Sequence, residues 1–156
     1  MDWMVIMEIK FFIPGVPATA GSKTPFIYRS KKDGKQRVAM APANKRQKPW
    51  MSDVKYYAEK AMAGSPPTTR AVVLWITFYF PRPKSHFGSG KNSAILKPSA
   101  PKELITKPDL TKAIRCLEDS LTGVVWKDDS QVVEQHTRKE YGDRPGALIE
   151  IRALGI

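Results

Sequence analysis

The chain has 156 residues, enough for one domain with a real core, and its 42% apolar residues are spread along it, which excludes wholesale disorder. It carries 26 Lys/Arg against 15 Asp/Glu, a formal net charge of +11, and a single cysteine, so an internal disulfide and a cysteine-built zinc site are excluded. No apolar run approaches the roughly 20 residues of a membrane helix, and no basic n-region with a cleavage site opens the chain, so a cytoplasmic protein outside the membrane is expected.

In chain order, "WMVIMEIKFFIPG" (3–15) alternates as a strand and ends at Pro14-Gly15. Asp33-Gly34 is a hairpin signal between "PFIYRS" and "QRVAMA", and Lys31, Lys32, Lys35 and Arg37 make the tip of that hairpin cationic. Residues 44–64 read as a helix with Pro49 in its first turn, Val54, Tyr57, Ala58 and Ala61 on one face, and Gly64 as its stop. "RAVVLWITFYF" (70–80) is the strongest strand signal and is expected at the centre of a sheet, buried on both faces. Residues 81–108, rich in Pro, Ser, Gly and Lys, are expected to form a long mobile loop. An amphipathic helix follows over 109–123, with Leu110, Ala113, Ile114, Leu117 and Leu121 at helical spacing and Gly123 just past its end. Cys116 lies in that helix and reads as a packed small hydrophobe. Strands over 130–141 and 146–154 complete the order β-β-β-α-β-α-β-β. The expected fold class is therefore α/β (α+β): one domain over 1–156, with a mixed sheet and two main helices.

Charge is divided unevenly along the chain. Residues 1–108 hold 19 Lys/Arg and 6 Asp/Glu, a net of +13, whereas residues 109–156 hold 7 and 9, a net of −2. A basic part joined to an acidic part suits a protein that holds a polyanion with one and does metal chemistry with the other. His86 and His136 are too far apart in sequence to suggest a His-metal cluster.

Two groups of acids flank the second helix: Asp109 at its start, and the adjacent pair Asp128-Asp129 beyond its end. Neighbouring carboxylates repel unless a cation lies between them, and Mg²⁺ takes carboxylate oxygens while keeping waters and a substrate phosphate. Each acid also has a structural alternative, since Asp109 suits an N-cap and "KDD" an ordinary turn. A strand running back along the helix would bring the two groups together.

"KPDLTKAIRCLEDSLTGVVWKDDSQVVE" (107–134) resembles the signature region of RusA-type Holliday-junction resolvases: an Asp-x-Asp-Asn element opening a helix, a downstream Lys, a "D-A-L" step and Asp-Asp-x-Gln-Val-Val. "FFIPGVPATAGSK" and "ITFYFPRPKSH" are similar to the family's first strand and central strand, so the likeness is colinear over nearly the whole chain. It implies a homodimeric, Mg²⁺-dependent endonuclease, with Mn²⁺ as the substitute ion, acting on branched DNA in the cytoplasm, or in a host's cytoplasm if phage-borne. The implied metal ligands are Asp109, Asp128, Asp129 and Asp119, with Asp109, Asp129 and Arg115 at the chemistry. Two departures stand out. Thr111 replaces the second acid of Asp-x-Asp, with Asp119 and then Glu118 as candidates for the missing charge, and Arg115 replaces the Lys. Arg115 keeps the cation but cannot donate a proton near neutral pH. Thr111 also feeds the alternative of a non-catalytic branched-DNA-binding protein, a degenerate resolvase. The expected DNA contacts are Lys23, Arg29, Lys31, Lys32, Arg37, Lys45, Arg46, Arg82, Lys84 and Lys112.

Overall fold

The computed structural model describes residues 4–21, 23–42 and 44–155. Four strands, β1 (Val5–Pro14), β4 (Val72–Phe80), β5 (Val132–Tyr141) and β6 (Gly146–Leu154), form one sheet in the order β1-β6-β4-β5. β2 (Lys23–Arg29) and β3 (Gln36–Pro42) form a separate two-stranded hairpin. The helices are α1 (Gln47–Met62) and α2 (Leu110–Leu121). β6 pairs antiparallel with both β1 and β4, while β4 and β5 are parallel, so the sheet is mixed as expected. A parallel pair needs a crossover, and α2 lies within the one joining β4 to β5.

Both helices lie on one face of this sheet. α1 buries Trp50, Val54, Ala58 and Met62 at every fourth position, and α2 buries Ala113, Cys116, Leu117, Ser120 and Leu121. These meet alternate residues of β4 and β6, including Leu74, Ile76, Phe78, Ile149 and Ile151, in a single core. Contrary to expectation, β4 is fully buried on only one face. Trp75, Thr77 and Tyr79, on the face away from the helices, are only half-buried because no second layer covers them among the described residues. That face is polar and aromatic instead: Trp75 stacks on His136 with ring centroids 5.4 Å apart, and the Arg152 guanidinium lies 4.7 Å from the Trp75 ring centroid.

Residues 81–108, expected as a long loop, carry local structure. They form 3₁₀ turns at Lys84–His86 and Gly90–Asn92 and a bridge between Phe87 and Leu96, and they bury Leu104 in the core. Pro-rich sequence conceals such structure because its hydrogen bonds are short-range and aperiodic. α2 ends where Gly123 adopts φ +89°, a left-handed conformation that a side chain would strain.

Candidate functional site

Asp109 occupies the N-cap position of α2, yet its side chain makes no capping hydrogen bond. Its Oδ2 lies 3.6 Å from Lys112 Nζ. An N-cap Asp usually accepts from the first-turn N–H groups, so this carboxylate is spared for the cleft beside it. The cleft has a volume of about 510 Å³, and its polar lining includes Thr19, Asn44, Arg46, Lys107, Asp109 and Lys112. Its walls are tied together: Ala20 N donates to Lys112 O (3.0 Å), and Asn44 Nδ2 to Thr19 Oγ1 (3.5 Å). From β5, Lys139 Nζ donates to the carbonyls of Thr106 (2.7 Å) and Pro108 (2.9 Å), fixing the entry to α2. Three cations against one carboxylate make a cleft suited to a phosphate.

At the other end of α2 the chemistry is reversed. The Asp129 carboxylate accepts from Thr122 Oγ1 and from Trp126 Nε1 (3.2 Å), while Trp126 Nε1 also lies 3.1 Å from Thr122 Oγ1. The buried Trp126 ring thus holds Asp129 against the last turn of the helix. Glu118, one turn back, accepts from Gln135 of β5. Burial first, and then the Asp129 and Asp119 carboxylates, raise the Glu118 pKa above its ordinary value, with the Gln135 bond opposing. Asp128 has a different task. Its carboxylate accepts from Ser130 N (2.8 Å) to cap the 3₁₀ turn Asp129–Gln131, and Gln131 Oε1 accepts in return from Asp128 N (2.9 Å). That hydrogen-bonding lowers the Asp128 pKa. Gln131 Nε2 also donates to the carbonyls of Thr68 and Arg70, both at 2.9 Å, locking the turn to the approach of β4. Gln131→Ala strands those groups and is expected to cost about 1–3 kcal/mol, read as a lower midpoint in urea unfolding.

The structure therefore separates, within one chain, the two groups of acids expected to come together. Asp109 precedes the first turn of the 12-residue helix, Glu118 lies about 14 Å along its axis at 1.5 Å per residue, and Asp129 sits against Thr122 just past its last residue, beyond the helix's own length of about 18 Å. β5 does run back along α2, but it delivers Lys139 rather than a carboxylate to the Asp109 end. Among the described residues no three His, Cys, Asp or Glu side chains are grouped closely enough to enclose a metal. Mg²⁺ does not need an enclosing cage, since one or two carboxylates with water and phosphate suffice. The Glu118–Asp129 pair, with Asp119 adjacent, fits that requirement because its mutual repulsion is what a cation relieves. Of the two acids weighed for the charge missing at Thr111, Glu118 has the Asp129 carboxylate acting on it. Asp119 is exposed on α2. Arg115 is also exposed, between the two ends, and joins no ion pair among the described residues. Cys116 is inert, its thiol pushed up to about 11 by burial and then by Asp119.

Residues 14–152 match the family described as Endodeoxyribonuclease RusA. This chain belongs to the RusA family. It is thereby a member of a nuclease family of Holliday-junction resolvases that act on branched DNA. Over 151 residues it is also 32% identical to the uncharacterised protein YqaN of Bacillus subtilis (strain 168), an alignment covering 94% of this chain and 96% of that protein.

Against this RusA frame the expected DNA-contacting cations fall into three groups. Arg46 and Lys112 line the Asp109 cleft, and exposed Lys45 sits beside it. Arg29, Lys31, Lys32 and Arg37 are exposed on the β2–β3 hairpin, Arg37 being paired with Asp33 at 2.5 Å, while the Lys23 side chain lies outside the described residues. Lys84 is exposed in its 3₁₀ turn, but Arg82 is committed elsewhere. Arg82 Nη1 donates to Pro101 O (2.7 Å) and its guanidinium covers the Tyr141 ring at 4.3 Å, so it pins the 81–108 segment to β5. Sequence reasoning missed Asn44, Lys107 and Lys139, whose places depend on how distant segments fold together.

The raised Glu118 pKa gives a pH-dependent prediction. The fold disfavours ionised Glu118, a cost absent below the ordinary carboxylate range and complete above the raised pKa. Without divalent ions, Glu118→Gln is expected to melt higher than wild type at pH 7, the gap closing towards about pH 4. Melting curves across that range, in chelator, check it. A gap independent of pH shows that ionisation is not the cause.

No described helix is long and apolar enough to cross a membrane.

Proposed function

We propose that this chain is a Mg²⁺-dependent, structure-selective endonuclease that resolves four-way DNA junctions as a homodimer in the cytoplasm, by paired phosphodiester hydrolysis. One observation carries the proposal within a RusA-family chain: the cation-lined cleft and the carboxylate pair sit at opposite ends of α2. Hydrolysis of a phosphodiester needs both, cations to hold the phosphate and carboxylates to hold a divalent ion. Two copies with antiparallel α2 helices set each cleft against the other copy's carboxylates and create two equivalent sites.

In each site Arg46, Lys107 and Lys112 of one copy hold the backbone phosphate and offset its charge. Glu118 and Asp129 of the other copy would hold the ion, with Asp109 completing the set from the cleft side. A bound Mg²⁺, or Mn²⁺ in its place, supplies activation of water and neutralisation of the leaving oxygen. Thr122 and Trp126 keep Asp129 in one rotamer, as outer partners do for acidic ligands. Arg115 adds fixed positive charge along the helix face between the two ends.

The test is a labelled four-way junction incubated with protein and Mg²⁺, with and without chelator. Symmetric paired incisions that chelator abolishes are expected. Tight binding without incision at any Mg²⁺ or Mn²⁺ concentration would instead identify the degenerate, non-catalytic binder.

A further inference from the structure

The β2–β3 hairpin carries apolar side chains on both faces, and among the described residues neither face is covered by another helix or strand. Directly paired residues share a face, so Ile27 and Val38 lie together with Pro25 and Met40 on one side, and Phe26, Ala39, Tyr28 and Arg37 on the other. Ile27, Val38 and Met40 are 70%, 67% and 54% exposed, and Phe26 and Tyr28 are 47% and 42% exposed. Among the described residues neither strand packs more than marginally on any other helix or strand. An isolated two-stranded hairpin is marginal in water, and an exposed apolar patch of this kind marks a binding surface.

Its charge says what the partner is. Residues 23–42 hold six Lys/Arg and one acid, Asp33, which Arg37 already engages at 2.5 Å. Arg29, Lys31, Lys32 and Lys35 surround a tip closed by Ser30 N donating to Lys35 O and Gly34 N to Ser30 O, both at 2.9 Å. A second copy of so positive a hairpin would repel the first, whereas a polyanion is complementary. Docking in a duplex groove would bury one face on base edges and leave the other against sugar-phosphate and water. Two apolar faces need apolar surface on both sides. The open centre of a four-way junction offers that, because terminal base pairs of its arms expose their π-faces around a gap ringed by phosphates.

We propose that the β2–β3 hairpin inserts between the base pairs at the branch point, with Ile27, Val38 and Met40 against one base-pair surface and Phe26 and Tyr28 against another, while Lys31, Lys32 and Lys35 take phosphates beyond. The proposal rests on the four-way-junction function above and adds how the branch is distinguished from duplex. Apolar side chains wedge between base steps and aromatic rings stack on unpaired bases by the same physics elsewhere.

The experiment uses the full chain in chelator, so that no substrate is cut, and a four-way junction carrying 2-aminopurine beside the branch. Wild type is expected to raise the fluorescence and to bind the junction in preference to a linear duplex of the same sequence. Ile27→Ser/Val38→Ser, at exposed positions, is expected to lose the fluorescence rise and about tenfold of the junction preference, with duplex affinity unchanged. Lys31→Ala/Lys32→Ala/Lys35→Ala is expected to weaken binding to both substrates and to shallow the salt dependence. An Ile27→Ser/Val38→Ser protein that keeps the rise and the preference overturns the insertion while leaving junction cleavage standing. A change in sedimentation of that variant without DNA also overturns it, by assigning the face to a second copy. Wild type that shows no preference for the junction overturns the insertion together with the function it rests on.

Discussion

Asp129→Asn is expected to leave four-way-junction binding at or above wild-type affinity while lowering the rate of cleavage by about 10³-fold or more, the equivalent of the several kcal/mol that a metal ion contributes to such a reaction. The substitution keeps the side-chain oxygen that accepts from Thr122 and Trp126, so the loop around Trp126 keeps its shape. It removes a charge that Glu118 feels directly and leaves the carboxylate pair with one member. Removing negative charge near a phosphate favours DNA binding, so affinity and rate move apart. Asp128→Asn is the control. Asp128 spends its carboxylate on Ser130 N, and an amide oxygen can accept the same bond, so cleavage is expected within a few-fold of wild type. Undiminished cleavage by Asp129→Asn would remove it from the site, and equal losses from both substitutions would mean that the turn, rather than the ion, had been damaged.

The elements were legible because their periodicities are strong. β4 is an unbroken run of residues that, apart from Leu74, are all β-branched or aromatic, and α2 repeats leucine and alanine at helical spacing, so order and type could be read directly. What periodicity does not carry is which face a layer covers. The face of β4 that carries Trp75, Thr77 and Tyr79 is still apolar enough to read as buried, and only the placement of both helices on the other side leaves Trp75 and Tyr79 half-open. In the site, Asp109, Asp128 and Asp129 stood out as acids flanking a helix. Their division of labour did not stand out, because an Asp that caps a turn and an Asp held beside Glu118 look the same as letters. Glu118 was visible two turns from Thr111, on its side of the helix, but only the proximity of Asp129 gives it weight over Asp119. Arg82 shows a structural role that its letter does not carry. A cation at the end of a central strand reads as a phosphate contact, and nothing in the sequence signals that the Tyr141 ring and the Pro101 carbonyl lie against it.

Mixing two inactive variants is expected to restore cleavage. Asp109→Asn and Asp129→Asn are each expected to be silent alone, because every site in either homodimer lacks one acid. If the cleft of one copy meets the carboxylates of the other, a mixed dimer has one site with both substitutions and one with neither. Random exchange makes half of the dimers mixed, so about a quarter of the wild-type sites return. Those dimers can cut only one of two strands, so the products are single nicks rather than resolved duplexes. The distance along α2 is what makes the outcome decisive. With about 18 Å between the ends of a 12-residue helix, Asp109 and Asp129 of one chain cannot share an ion whose carboxylate oxygens lie within a few ångströms of it. Were the acids to act within one chain as separate stations along the DNA, each mixed dimer would carry one lesion per site and remain silent. Nicking by the mixture, absent from either variant alone, therefore assigns the site to two chains, and silence after verified subunit exchange assigns it to one.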